Sequence, residues 1–135
     1  MIAFSEQWAS AWCAALNSSE AYQAAAAAWE GSVAVVARNG KNLPSAVYLD
    51  LHRGQCRAAR SASEADLASA AFVLEGDGAA WRDLFTGRQA PLMALMSGRI
   101  KLARGEIAQL VPHAGSAREL VTLAGQIPTE FPDDW

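Results

Sequence analysis

GDGAAWRDLFTGRQAPLMALMSGRIKLARGE, residues 76–106, reads as helix, helix, strand with a turn signal at each joint. Asp77 suits a helix N-cap, where its carboxylate accepts a free backbone N–H. Trp81, Leu84 and Phe85 follow at i, i+3 and i+4, so they share one face. Gly87 is a C-terminal stop, because glycine enters the left-handed region cheaply. Pro91 fits the first turn of a second helix, where its missing N–H costs nothing. That helix carries Leu92, Met93, Leu95 and Met96 and stops at Gly98. Ile100 and Leu102 then alternate with Arg99, Lys101 and Arg104, the pattern of a half-buried strand. Two short, apolar helices just before a strand are expected to form a flexible lid over a sheet.

Outward from this stretch, helices are expected at 5–17 and 20–29. The first has Ser5 as cap and Trp8, Trp12 and Leu16 on one face; the second is nearly all alanine, the strongest helix former. A strand over 32–38 carries Val33, Val35 and Val36. Asn39-Gly40 signals a hairpin, with 41–44 lengthening the loop. Residues 46–52 alternate, with Val47, Leu49 and Leu51 on one side, and Arg53-Gly54 turns into a strand at 55–60. Residues 61–66 read as a loop holding at most one helical turn, since Ser63 and Asp66 have capping-box spacing. A strand follows at 69–75, with Ala70, Phe72 and Leu74 on one face.

After the strand at 99–104 comes a short helix at 106–111, ended by Pro112. Ser116 and Glu119 then have the spacing of a second capping box, ahead of a stripe of Leu120, Leu123, Ala124 and Ile127. The tail, with Phe131 and Trp135 among prolines and acids, is either a strap over the core or a mobile end. This order indicates an α+β domain over residues 1–135, with a mainly antiparallel sheet. The helices of 79–97 permit a crossover and one parallel pairing.

Net charge is -3 and the sequence pI about 5.3, so no broad attraction to nucleic acid or anionic lipid is implied. Hydrophobic residues make up 52% and mean hydropathy is +0.06, high for a small domain, which points to a generous interior or to apolar surface kept for a ligand or partner. No run approaches the ~18 apolar residues that span a bilayer, so no integral membrane segment is expected. The first Lys or Arg is Arg38, which argues against a secretory leader. Cys13 and Cys56 sit in apolar contexts and are expected to be reduced core thiols of a cytoplasmic protein.

Chemistry-bearing constellations are sparse. His52 and His113 lie far apart, without ligand spacing around them, and read as surface histidines, so no metal is expected. No nucleophile elbow, P-loop or dinucleotide fingerprint is present, and no cofactor is implied. Asp50 and Glu75 project opposite their apolar neighbours and read as solvated. Arg53, Arg57, Arg60, Arg99, Lys101 and Arg104 form a positive patch only if the third and last strands are neighbours.

The joints of the 76–106 stretch also carry a family likeness. Leu84-Phe85-Thr86-Gly87-Arg88, then Ala94-Leu95-Met96-Ser97-Gly98-Arg99, then the alternating strand and Gly105-Glu106, resemble the core signature of the sterol carrier protein 2 family. Tyr48-Leu49-Asp50-Leu51-His52-Arg53-Gly54 fits the family's apolar strand and Gly turn. Trp8, Trp12, Leu16-Asn17 and Trp29-Glu30-Gly31 look similar to small bacterial single-domain members. Ala70 and Ala71 stand where many members carry an Asp. The resemblance implies a five-stranded sheet covered on one face by helices, with an apolar tunnel between.

The leading expectation is therefore a non-enzymatic carrier of a lipid, sterol or fatty acyl chain. Its wall is expected to comprise Leu49, Phe72, Leu74, Trp81, Phe85, Leu92, Met93, Met96, Ile100, Leu120 and Leu123. Methionine on such a wall adapts to irregular guests. Two rivals stand beside it. One is an interaction module with a tunnel filled by its five tryptophans, binding a partner enzyme or a second copy. The other is an accessory factor for steroid- or quinone-like intermediates, which needs two ionisable groups inside.

Overall fold

The computed structural model describes residues 1–39 and 44–135. The Asn39-Gly40 hairpin and its loop thus fall partly outside the described residues. The elements run α1 (Glu6–Asn17), α2 (Glu20–Ala25), β1 (Glu30–Ala37), β2 (Ser45–His52), β3 (Gln55–Ser61), α3 (Glu64–Ser69), β4 (Phe72–Gly76), α4 (Gly78–Phe85), α5 (Pro91–Met96), β5 (Ile100–Arg104), α6 (Ile107–Leu110), a 3₁₀ turn at Val111–His113, and α7 (Ala114–Gln126).

The strands form one sheet in the order β3-β2-β1-β4-β5. Among the strands of the described residues, β1 and β4 alone pair in parallel; the other neighbours are antiparallel. The parallel pair is not where α4 and α5 were expected to allow it: those helices join the antiparallel strands β4 and β5. β3 ends at the far edge of the sheet, so the chain must recross the sheet to reach the free side of β1. It arrives running the same way as β1. This order also separates β3 from β5 at opposite edges, so the basic residues of those strands do not form the conditional patch.

The recrossing puts α3 on the back of the sheet. Ala34, Val36, Ala70 and Val73 form a small buried cluster there, with Ala46, Tyr48 and Leu67 packed against it. Ala70 therefore belongs to the back, not to the face of Phe72 and Leu74. The strand starts at Phe72 rather than at 69 because the Ser63–Asp66 capping box carries α3 on to Ser69. α2 stops at Ala25, short of 29: Trp29 N–H bonds Ala26 O, and Glu30 already pairs with His52. α7 begins at Ala114, ahead of the expected cap, and Ser116 Oγ donates to His113 O at 2.9 Å.

The front carries the main core. Val33 and Val35 of β1 lie opposite Leu49 and Val47 of β2 and opposite Phe72 and Leu74 of β4. Most of these are buried beneath α1, α2, α4 and α7. α7 crosses α4 so closely that a Cβ on Gly125 would collide with Phe85 O. The tail is a strap. Ile2 bridges Glu130, Trp8 Nε1–H donates to Thr129 Oγ1 at 3.0 Å, and the Trp135 ring sits 5.1 Å from Phe4.

A candidate apolar ligand site

An apolar cavity of about 190 Å³, partly open to solvent, lies between the sheet and the helical layer. Strand alternation supplies its floor. Val33, Val35, Leu49, Leu74 and Ile100 all project to the front from four adjacent strands. One wall comes from α4, whose i, i+3, i+4 stripe of Trp81, Leu84 and Phe85 faces inward. α5 and the residue before it add Ala90, Pro91, Leu92 and Leu95. α7 closes the opposite side with Ala114, Ser116, Ala117, Arg118, Leu120 and Val121, and Trp12, Trp29, Leu110 and His113 complete the lining.

The tryptophans divide the interior instead of plugging it. Phe4, Trp8, Trp81, Phe85 and Trp135 make a chain of ring contacts with centroids 5.1–6.1 Å apart beneath the N-terminus and the strap. Phe4 adopts φ +63°, an uncommon backbone state for a bulky residue, and sits at the hub of this cluster. Trp12, Trp29 and Trp81 contribute to the cavity wall. Two of their indole N–H groups are already used. Trp12 Nε1–H donates to Leu120 O at 3.0 Å and Trp81 Nε1–H to Val36 O at 2.8 Å. Those two rings therefore offer the cavity no free donor.

Apart from the indoles, the polar side chains of the lining are those of His113, Ser116 and Arg118, on α7 and the turn before it. Ser116 Oγ is engaged with His113 O, and the His113 ring packs 5.0 Å from Trp29. His113 is thus half-buried against an aromatic ring, not the solvent-facing residue its loop position suggests. Among the described residues no carboxylate lines the cavity. Asp50 and Glu75 stand in surface ion pairs with Arg57 at 3.1 Å and Arg38 at 2.8 Å. Cys56 is buried beside Cys13, whose Sγ–H donates to Cys56 O at 3.3 Å, and burial pushes the Cys56 thiol pKa up. Neither cysteine reaches the cavity.

Of the expected wall, Leu49, Leu74, Trp81, Phe85, Leu92, Ile100 and Leu120 surround the cavity. Phe72 does not. It is buried further along the same face, with its ring 5.2 Å from Trp29. Leu123 lies one turn beyond Leu120 and packs into the core. Met93 and Met96 are 60% and 70% exposed on the outer side of α5. The inward stripe of that six-residue helix is Leu92, Ala94 and Leu95, leaving both methionines rotated outward. Among the lining members missed were Val33 and Val35, which β1 alternation signals, and Leu84 and Leu95, which complete helical stripes. Trp12, Trp29, His113 and Arg118 come from distant segments and had no local signal.

The sequence matches the SCP-2 sterol transfer family over residues 10–109. A crystal structure of a sterol carrier protein 2 superposes with TM-score 0.84 at 44% identity, covering 92% of this chain and 98% of that one. The solution structure of a conserved hypothetical protein from Thermus thermophilus gives TM-score 0.86 at 44% identity, covering 96% and 92%. Sterol Carrier Protein 2 from Yarrowia lipolytica, in its apo form, shares the fold at TM-score 0.61 and 14% identity, covering 87% and 88%. No curated protein sequence matches.

Proposed function

The chain belongs to the SCP-2 sterol transfer family, and from that premise we propose that residues 1–135 act as one unit that binds and carries an apolar small molecule in the cavity between sheet and helices. The observation that carries this reading is the hollow of about 190 Å³ itself, left open although five tryptophans were available to fill it. Each methylene moved from water into such a wall contributes about 0.8 kcal/mol, so a chain binds without a polar anchor along its length. Binding and release suffice for the role, without catalysis, cofactor or metal. The interaction-module reading needs a filled interior, and the hollow counts against it. The accessory-factor reading needs two ionisable groups inside; the lining offers His113 and Arg118 beside α7.

The hollow is smaller than the ~300–1,000 Å³ usual for small-molecule pockets. A short stretch of chain enters it as it stands, and a larger guest requires a wall to move. α5 is that wall. It has one buried residue, no side-chain cap, and is flanked by Gly87 and Gly98, both at φ +79°. No helix among the described residues is long and apolar enough to cross a membrane.

The test is direct. Native mass spectrometry of the protein incubated with laurate, dodecanol or cholesterol should show a one-to-one adduct with at least one of them, and the same ligand should displace a fluorescent fatty acid. Leu95→Trp, which fills the hollow from α5, should abolish the adduct while the circular dichroism spectrum stays unchanged. Absence of any adduct with the parent protein would end the carrier reading.

A further inference from the structure

The back of the sheet carries a second hollow, on the side away from the apolar cavity. Val36 of β1 and Val73 of β4 form its floor, and Leu67 of α3 and Ala103 of β5 border it. It encloses about 190 Å³ and is partly open to solvent. Its charged lining is Arg38, Arg104 and a single carboxylate, Glu75.

Arg104 is fixed through one of its nitrogens. Nη1 donates to the carbonyl oxygens of Leu67, Ala68 and Ala70 at 2.8, 2.9 and 2.9 Å, at the C-terminal end of α3. Its Nε–Nη2 edge meets no partner among the described residues. That is the edge with which Arg60 grips Asp66 on the same face of the sheet, through Nε at 3.1 Å and Nη2 at 2.7 Å. The two N–H groups of such an edge are parallel and match two oxygens of one carboxylate or phosphate. Arg38 spends Nη2 on Glu75 at 2.8 Å and keeps its other donors. Lys101 stands opposite Glu75 in the strand register, so it projects to this face as well. Three cations thus gather around one carboxylate, in a chain whose net charge is -3.

We propose that this hollow is a second binding site, independent of the carrier cavity, for a small oxyanion: a carboxylate or phosphate group on a short apolar stem. The Nε–Nη2 edge of Arg104 takes the head, Arg38 and Lys101 add positive charge beside it, and the stem rests on Val36, Val73 and Leu67. The three carbonyls on Nη1 hold the guanidinium in place before the guest arrives, so little side-chain freedom is lost on binding. A cationic guest meets net repulsion here, and a neutral one leaves the fork unused. A hollow of ~150 Å³ accommodates a benzene-sized body, so a stem of a few carbons suits this one.

The full chain is titrated with butyrate, butyl phosphate, inorganic phosphate, butanol and butylamine, and amide shifts are followed by NMR. Butyrate or butyl phosphate should move Val36, Val73 and Arg104 saturably and bind roughly tenfold more tightly than butanol. The tighter of the two identifies the head. Butyl phosphate should bind more tightly than inorganic phosphate; equal affinities would overturn the apolar stem. Arg104→Gln should lose the binding, but it also releases the end of α3. Glu75→Gln is therefore the sharper variant. It frees Arg38 and removes the competing carboxylate, so anion affinity should rise about threefold, a gain that loosened structure does not produce. Leu95→Trp, which fills the front hollow, should leave these shifts unchanged, so the outcome does not depend on the carrier reading. If the anions move only front residues such as Leu49 and Leu120, or bind no better than butanol, or if Glu75→Gln does not tighten them, the second site is overturned.

Discussion

The indole N–H of Trp81 donates to the backbone carbonyl of Val36 across 2.8 Å of buried space. This bond ties α4 to the central strand β1, and α4 buries Gly78, Ala80, Trp81, Leu84 and Phe85 around it. The pair of helices that looks in sequence like one lid is thereby divided. α4 is part of the core, and α5 rests on a single buried residue, Ala94.

Trp81→Phe should therefore destabilise the protein by about 2 kcal/mol, because it removes this buried hydrogen bond and part of the packed volume of the indole. Urea denaturation followed by circular dichroism measures this. A loss within about 0.5 kcal/mol, the range of ordinary surface substitutions, would show that the bond does not anchor α4.

Hydrogen exchange should separate the two helices. The α5 amides of Ala94 and Met96 are expected to exchange faster than those of Trp81 to Phe85 in α4, since few buried contacts oppose local opening of α5. A bound guest should slow α5 and leave α4 unchanged. Equal protection of both helices without ligand would remove α5 as the moving wall.

Tyr22 is fully buried, and its hydroxyl finds no hydrogen-bond partner among the described residues. Tyr22→Phe should stabilise the protein by about 1 kcal/mol by removing an unpaired polar atom. Burial, with a smaller contribution from Cys56, also raises the phenol pKa from 10.0 to about 12. Between those values the unfolded chain loses a proton that the folded one keeps, so stability falls as pH rises through this window. Thermal melts across alkaline pH should show that decline in the parent and less of it in the variant.

Asp66 accepts from Arg60 Nη2 and Nε, at 2.7 and 3.1 Å, and from Ser63 N–H. The Arg60 hydrogen bonds, then the Ser63 backbone, hold its pKa at about 2, below the ordinary 3.8. Its contribution is complete above the unfolded value and is lost as pH falls through the folded one. Asp66→Asn should lower stability at neutral pH and flatten the acid decline between about pH 4 and 2, as followed by pH-dependent denaturation. Because α3 lies on the back of the sheet, ligand affinity should not change.

The elements around the cavity were legible because each rests on a local rule. Asp77 caps α4, accepting from Ala80 N–H at 2.8 Å, Pro91 opens α5, and Gly87 and Gly98 take the positive φ that ends each turn. Errors arose where two local rules competed. The Ser63–Asp66 box extended α3 into residues that alternate like a strand, and pairing of Glu30 with His52 cut short an alanine run with strong helix propensity.

By itself, then, the sequence determined the strands, most helix boundaries and the apolar stripes, since propensity, capping and periodicity act over a few residues. Tertiary structure alone decided which stripes face a hollow. Met93 and Met96 are as apolar as Leu92 and Leu95, but six residues of helix bury one side only, and the sheet beneath chooses it. Likewise, Trp29, His113 and Arg118 meet beside the cavity because α7 folds back over β1, a juxtaposition created by long-range packing that no local pattern encodes.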